Sequence, residues 1–171
     1  MNINNQIMTA IVKWVAIIFK ENIMLEVINT IFYFESLEII DLKYPSVFLI
    51  LTVSNKQLII LFTFDNSLIQ HLHLALTEGI EYSEEELQNI TEAVAADMLN
   101  IIIGNATADM PNNGNLIKIT PPQLIKNKKQ LLRKQQAQFF AAEVITSVGR
   151  LWVSSIEPIE LFNENLDYIN N

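Results

Sequence analysis

The chain is expected to be an α+β protein of two similar α-βββ halves, with long helices packed on an antiparallel sheet. Three observations carry this expectation. Helix-periodic segments open each half and strand-like segments follow. The stretch "VFLILTVSNKQLIILFTF" is two apolar runs split by Ser54-Asn55-Lys56-Gln57, and "SEEELQNITEAVAADMLNIIIGNAT" keeps a helical apolar period along its length. The halves share an order of elements rather than a residue-level repeat.

In chain order, "MNINNQIMTAIVKWVAIIFKEN" predicts an amphipathic helix over about Asn4 to Glu21; it has no basic leading region, and Lys13 interrupts its apolar run, so it does not read as an export signal. A β-rich stretch, "MLEVINTIFYFESLEII", follows. The split apolar run comes next, each part too short to span a bilayer as a helix, and reads as two buried strands joined by a tight turn. Asp65-Asn66-Ser67 offer caps for a short helix to about Leu76. Ser83 with Glu86 three residues on has the capping-box pattern and starts a helix to about Thr107. Beyond the turn "PNNGN" come a strand near Leu116 to Ile119, a break at Pro121-Pro122, the basic segment "IKNKKQLLRKQQ", and two strands over about Gln138 to Ser147 and Arg150 to Ile156.

At 171 residues the chain is expected to be one domain, 1–171. Half its residues are apolar and its formal net charge is −8, which argues for a soluble acidic protein and against nucleic acid or membrane insertion. It has no cysteine, which removes disulfides, thiolate catalysis and Cys-ligated zinc and fits a cytoplasmic location.

On a helical wheel of the long helix, Leu87, Val94, Ala95, Met98, Leu99, Ile101, Ile102 and Ile103 form a broad apolar arc expected to pack on the sheet. Asn89, Ala93, Ala96, Asp97, Asn100, Gly104 and Thr107 form the remaining face, which is polar and small. Asp and Asn within a helix cost about 0.5 kcal/mol each relative to Ala and Gly about 1, so the stripe gives up about 2 kcal/mol of local propensity. Two readings fit: a solvated face, or a flat docking surface from which a carboxylate and a carboxamide project side by side.

The segment "EAVAADMLNIIIGNA", with the strand "LIKIT" and the prolines "PP" after it, closely resembles the CheX/CheC/FliY group of chemotaxis phosphatases, and CheX-like proteins in particular. The likeness extends to the opening helix, the first hairpin, "SVGRLWV" and the "ELFNENLDY" tail. Asp97 and Asn100 stand at the acid and amide positions of the family's signature, Gly104-Asn105 match its continuation, and Pro122 stands at its downstream proline. The family's acid is normally glutamate, and many members place a small polar residue where this chain has Ala93.

The resemblance implies a CheC-like fold and hydrolysis of the aspartyl phosphate on a CheY-like receiver domain. Asn100 would orient the attacking water, and Asp97 would pair with the receiver's active-site lysine. It implies no cofactor of the chain's own, the Mg²⁺ being the receiver's, and a homodimer joined through its sheets. The alternative is a non-catalytic module that keeps the fold and docks receivers or other signalling proteins; Asn100 favours the enzyme and Asp97 the module.

Other candidates have simpler explanations. His71 and His73, two apart on a short helix, face different directions and read as surface and groove residues rather than metal ligands. Glu84-Glu85-Glu86 suit a helix N-terminus. Lys126, Lys128, Lys129, Arg133 and Lys134 read as a solvated loop or a patch for an acidic protein, and Trp14 and Trp152 as core or interface residues. Neither a phosphate-cradling glycine loop nor a nucleophile motif is present.

Overall fold

An apolar run that continues through a strand must be buried on both faces, and this requirement organises the molecule. The computed structural model describes residues 3–34, 36–78, 80–110 and 116–169; the "PNNGN" turn lies outside them. Strands β3 (Ser46–Val53) and β4 (Lys56–Phe64) form the expected hairpin, with Ser54 in the left-handed region of the turn at φ 57°. Along β4, Leu58, Ile60, Phe62 and Phe64 enter the core beneath the helices, while Ile59 and Leu61 enter a second core on the opposite face. Alternation in space has produced no alternation in the sequence, because both faces are covered.

The helical layer is α1 (Ile3–Ile23), α2 (Asn66–Thr77) and α3 (Glu84–Ala108). On α1, Ile7, Met8, Ile11, Val15, Ile18 and Phe19 recur at helical spacing and are buried against the sheet and α3. The opposite layer is a two-stranded ribbon of β2 (Ile39–Leu42) and β7 (Lys129–Leu132). Together with the C-terminal tail it brings Ile40, Leu42, Leu131, Phe162 and Leu166 onto Phe48, Phe139 and Ile156 of the sheet.

Among the described residues the main sheet has seven strands. Strand β1 (Val27–Tyr33) pairs with β8 (Gln138–Thr146), β8 with β9 (Arg150–Glu157), β9 with β4, and β4 with β3; the short strands β5 (Ile117–Ile119) and β6 (Gln123–Ile125) both pair with β3. All these pairings are antiparallel. The expected two halves are visible in this order. Each contributes a long helix, one outer strand, one ribbon strand and one hairpin, and Pro121-Pro122 split the second half's outer strand into β5 and β6. Each outer strand lies against the other half's hairpin, and β4 and β9 meet at the centre.

Two local expectations are corrected. Asp65 occupies the N-cap of α2, but its side chain caps no helix N–H; its carboxylate takes Lys43 Nζ at 3.2 Å and the Arg150 N–H at 3.0 Å. The basic segment is a solvated loop only in part: Lys126 and Lys128 are exposed between strands, but Ile125 closes β6 and Lys129–Leu132 form β7, with Lys129 Nζ 2.6 Å from Asp167 Oδ1, Arg133 paired with Glu38, and Lys134 Nζ 4.3 Å from the centre of the Tyr168 ring. The Lys129 and Lys134 contacts hold the ribbon to the tail, the Arg133 pair closes the end of the ribbon, and all escape a sequence reading because every partner is remote in the chain.

Candidate functional site

Helix α3 begins as the capping box predicts: the Glu86 N–H donates to Ser83 Oγ at 3.3 Å, and the Ser83 N–H donates to Glu86 Oε2 at 2.9 Å. That backbone N–H first, then the Ser83 hydroxyl, which donates to the same Glu86 oxygen at 2.8 Å, draw the Glu86 carboxyl below the usual carboxylate range. Further along, Val94, Ala95, Met98, Leu99, Ile102, Ile103 and Ala106 are buried on the sheet and on α1. Full burial of each large apolar side chain stabilises by about 1.5–3 kcal/mol, which outweighs the ~2 kcal/mol that Asp97, Asn100 and Gly104 give up in propensity. Tertiary packing thus leaves the outer face free to carry residues that a lone helix would disfavour.

That outer face presents Ala93, Asp97, Asn100, Ile101, Gly104 and Ala108 as exposed residues, with Ala96 half-buried. Asp97 and Asn100 lie one helical turn apart on the same side. Neither side chain has a hydrogen bond or ion pair to another among the described residues. Gly104 is open: a Cβ built there meets nothing within 4 Å. Asn105 is held on its own helix, its Nδ2 donating to the Ile101 carbonyl at 2.8 Å.

Three wheel assignments change. Leu87 is 42% exposed and Ile101 39% exposed, although both were expected in the core. Leu87 belongs to the N-terminal turns, ahead of the point where α3 settles on the core, and Ile101 lies at the border of the buried arc. Thr107 goes the other way: it is buried, and its hydroxyl donates within the helix, 2.8 Å from the Ile103 carbonyl and 3.0 Å from that of Gly104.

The C-terminal end of α3 carries a contact without a sequence signal. Asp109, an acid at the C-cap where the helix dipole disfavours one, receives Lys13 Nζ at 2.6 Å and the Trp14 indole N–H at 2.8 Å. Those two donors, Lys13 first, hold its carboxyl below its ordinary range and tie α1 to α3. Near the other end, the Tyr44 hydroxyl donates to Glu92 at 3.0 Å; burial first, then Glu92, push its pKa up to about 12.

The remaining candidates lie apart from this face. His73 is buried with its ring 5.8 Å from Tyr82, and His71 is half-buried. Among the described residues no group of three or more His, Cys, Asp or Glu is placed to hold a metal. Trp152 stacks on Tyr33 at 5.7 Å. A cleft of about 430 Å³ between β2 and the sheet, lined by Lys43, Asp65, Arg150 and Trp152 among others, includes neither Asp97 nor Asn100. The α3 face is an open surface, and what it offers chemically is a carboxylate and a carboxamide to a partner that supplies the rest of a site.

Gly104 gives a direct check on this description. With open space at its Cβ position, Gly104→Ala is expected to stabilise the fold by about 1 kcal/mol, read as a higher midpoint of urea unfolding. Unchanged or reduced stability would mean that the helix is constrained at 104 in a way its surroundings do not show.

Comparison with known proteins places this geometry. A family model described as "Chemotaxis phosphatase CheX" matches residues 48–144, more than half of the chain, including all of α3. No curated protein matches significantly. Among solved structures, the chemotaxis protein CheX from Desulfovibrio desulfuricans is similar at 16% identity and TM-score 0.70, covering 89% of this chain and 99% of that one. A chemotaxis protein from Desulfovibrio vulgaris Hildenborough is similar at 16% identity and TM-score 0.72, covering 89% and 97%. The CheX–CheY–BeF3–Mg²⁺ complex from Borrelia burgdorferi is similar at 18% identity and TM-score 0.65, covering 92% and 99%. Identities this low speak for the fold, which is CheC-like; the family match spans the helix that carries Asp97 and Asn100, and the chain belongs to the CheX family.

Proposed function

We propose that the protein accelerates hydrolysis of the aspartyl phosphate on a CheY-like receiver domain, with α3 as the element that enters the receiver's site. The observation that carries this reading is the pair Asp97 and Asn100, exposed one turn apart without partners among the described residues, on a helix face kept low by Ala93, Ala96 and Gly104. The family match supports it, as does the fold-level likeness to a CheX seen in complex with CheY.

The chemistry asks little of such a surface. An acyl phosphate is already activated, and the receiver's own Mg²⁺ supplies neutralisation of the phosphoryl oxygens. What remains is a water held in line with the bond to be broken. The Asn100 carboxamide accepts from and donates to that water. As the water oxygen bonds to phosphorus, the P–O bond to the receiver's aspartate breaks, releasing inorganic phosphate and a free carboxylate. Asp97 pairs with the receiver's active-site lysine and sets the register of docking. Phosphate release from a panel of phosphorylated receivers, with and without this protein, tests the reading. Failure to accelerate any of them sinks it.

A second reading rests on one residue. Asp97 stands where the resemblance places glutamate, and a shorter acid that docks without completing the site would make the protein a receiver-binding module. Binding without acceleration is the result that selects it.

The proposal includes assembly and location. Strand β1 is the terminal strand of the sheet, and Ile28, Ile31 and Phe34 at this edge are 66%, 38% and 43% exposed. An uncovered apolar edge invites strand pairing, and a second copy of β1 satisfies it antiparallel across a two-fold axis. Light scattering at tens of micromolar is expected to give a dimer; a monomer there removes this element. Among the described residues no helix is long and apolar enough to cross a membrane. A receiver partner would support a cytoplasmic location.

A further inference from the structure

We infer that Ile101 determines which receivers the α3 face accepts, by packing on an apolar side chain that a compatible receiver carries beside its phosphorylated aspartate. This rests on the phosphatase reading above and adds to it the chemistry of the partner's surface. Helix geometry supplies the first step. Residues 97, 100, 101 and 104 are spaced i, i+3, i+4 and i+7 and share one side of α3, so a partner that engages both Asp97 and Asn100 has to cover Ile101 as well.

The second step is that, among the described residues, none covers the outward side of Ile101. Ile101 is 39% exposed while the adjacent Ile102 and Ile103 are 0% exposed. Gly104, one turn along in the i+3 direction, has no side chain to lean over it, and the Asn105 amide is held on the Ile101 carbonyl. A β-branched residue is also a poor choice for an exposed helix position on propensity alone.

The third step concerns what can face it. Water leaves this surface when the receiver docks, so a charged or hydrogen-bonding side chain set against Ile101 loses its hydration without gaining a partner, whereas an apolar one gains burial. Asp97 and Asn100 address groups that receivers of this chemistry have in common, a lysine and the attacked phosphoryl group. Ile101 addresses a position where the receiver's side chain is free to vary, and it adds discrimination there beyond what the reach of the Asp97 carboxylate imposes.

The test measures phosphate release against receiver concentration for wild type, Ile101→Ala and Ile101→Lys, with binding to beryllofluoride-loaded receiver as a second readout. Ile101→Ala is expected to raise KM and Kd roughly tenfold and to leave kcat within about threefold, because the contact is made equally in ground and transition states. Ile101→Lys is expected to lose binding to its natural receiver and to regain it with a receiver whose facing apolar residue is replaced by glutamate. Unchanged KM and Kd in both variants overturn the inference, as does a loss confined to kcat. A lowered unfolding midpoint in Ile101→Ala with KM and Kd unchanged also overturns it, since it assigns the residue to packing within the chain. If wild type binds receivers but hydrolyses none, the phosphatase reading falls while the Kd values still decide the role of Ile101. Wild type that neither binds nor hydrolyses removes both.

Discussion

Asn100→Ala is expected to abolish acceleration of receiver dephosphorylation while leaving receiver binding within a few-fold of wild type. The carboxamide's proposed work is confined to the transition state, where it orients a water that is not yet ordered in the docked complex. An interaction made only there is lost from kcat and not from affinity. By analogy with the water-positioning glutamine of GTPases, the loss is expected to be at least about a hundredfold. Its structural cost is small: Asn100 is exposed and without side-chain partners among the described residues, and alanine is the better helix former by about 0.5 kcal/mol, so the variant is expected to be as stable as wild type or slightly more so. A stable, binding, inactive Asn100→Ala would assign Asn100 to catalysis. Equal losses in binding and rate would make it a docking residue, and no change in either would return it to the solvated face of a helix.

What could be seen of this arrangement from the sequence depended on how local its cause was. The capping box, the hairpin with its short turn and the long helix each arise from residues within a few positions of one another, and the structure has them near their expected bounds. The ribbon and the tail did not show themselves. Lys129 and Arg133 look like a solvated basic run because their partners, Asp167 and Glu38, lie far off in the chain on either side. Asp65 has the chemistry of an N-cap, yet the backbone of Arg150 and the ammonium of Lys43, both brought in by tertiary structure, take its oxygens instead.

The site divides in the same way. Asp97 and Asn100 were visible because a costly stripe in an otherwise good helix wants a reason and because the motif resembles a family's. Ile101 was not. Its side chain is apolar and lies at the edge of the buried arc, and a helical wheel has no means of saying where the neighbouring helices and sheet stop. Asp109 was hidden because a lone acid at a helix C-terminus looks unfavourable until Lys13 and Trp14 are seen to approach it from α1.

Replacing Asp97 is expected to have the other large effect, and its direction depends on length as much as on charge. Aspartate keeps the carboxylate of the family's usual glutamate but is one methylene shorter, a difference of roughly 1 to 1.5 Å in reach. Misplacement on that scale costs about a hundredfold in rate where docking geometry is set by the residue concerned. The α3 face allows compensation on the N-terminal side of Asp97, where Ala93 stands exposed one turn before it and Ala96 is small, so a receiver is free to settle closer to the helix there than a crowded face would permit. The expected result is a working phosphatase restricted to receivers that make this closer approach. Asp97→Ala, which removes the partner of the receiver's lysine, is expected to weaken productive docking strongly, by ten- to a hundredfold in kcat/KM, with little change in stability. Asp97→Glu is expected to retain activity on the natural receiver and to extend it to others. Dephosphorylation of several receivers by wild type and both variants decides between the readings. Acceleration by Asp97→Glu alone would mean that the natural protein docks receivers without turning them over, because the shorter acid leaves Asn100 out of reach of the water. Acceleration by neither would remove Asp97 and Asn100 as the site, since the one change that restores the family's own acid on the same exposed turn would then have restored nothing.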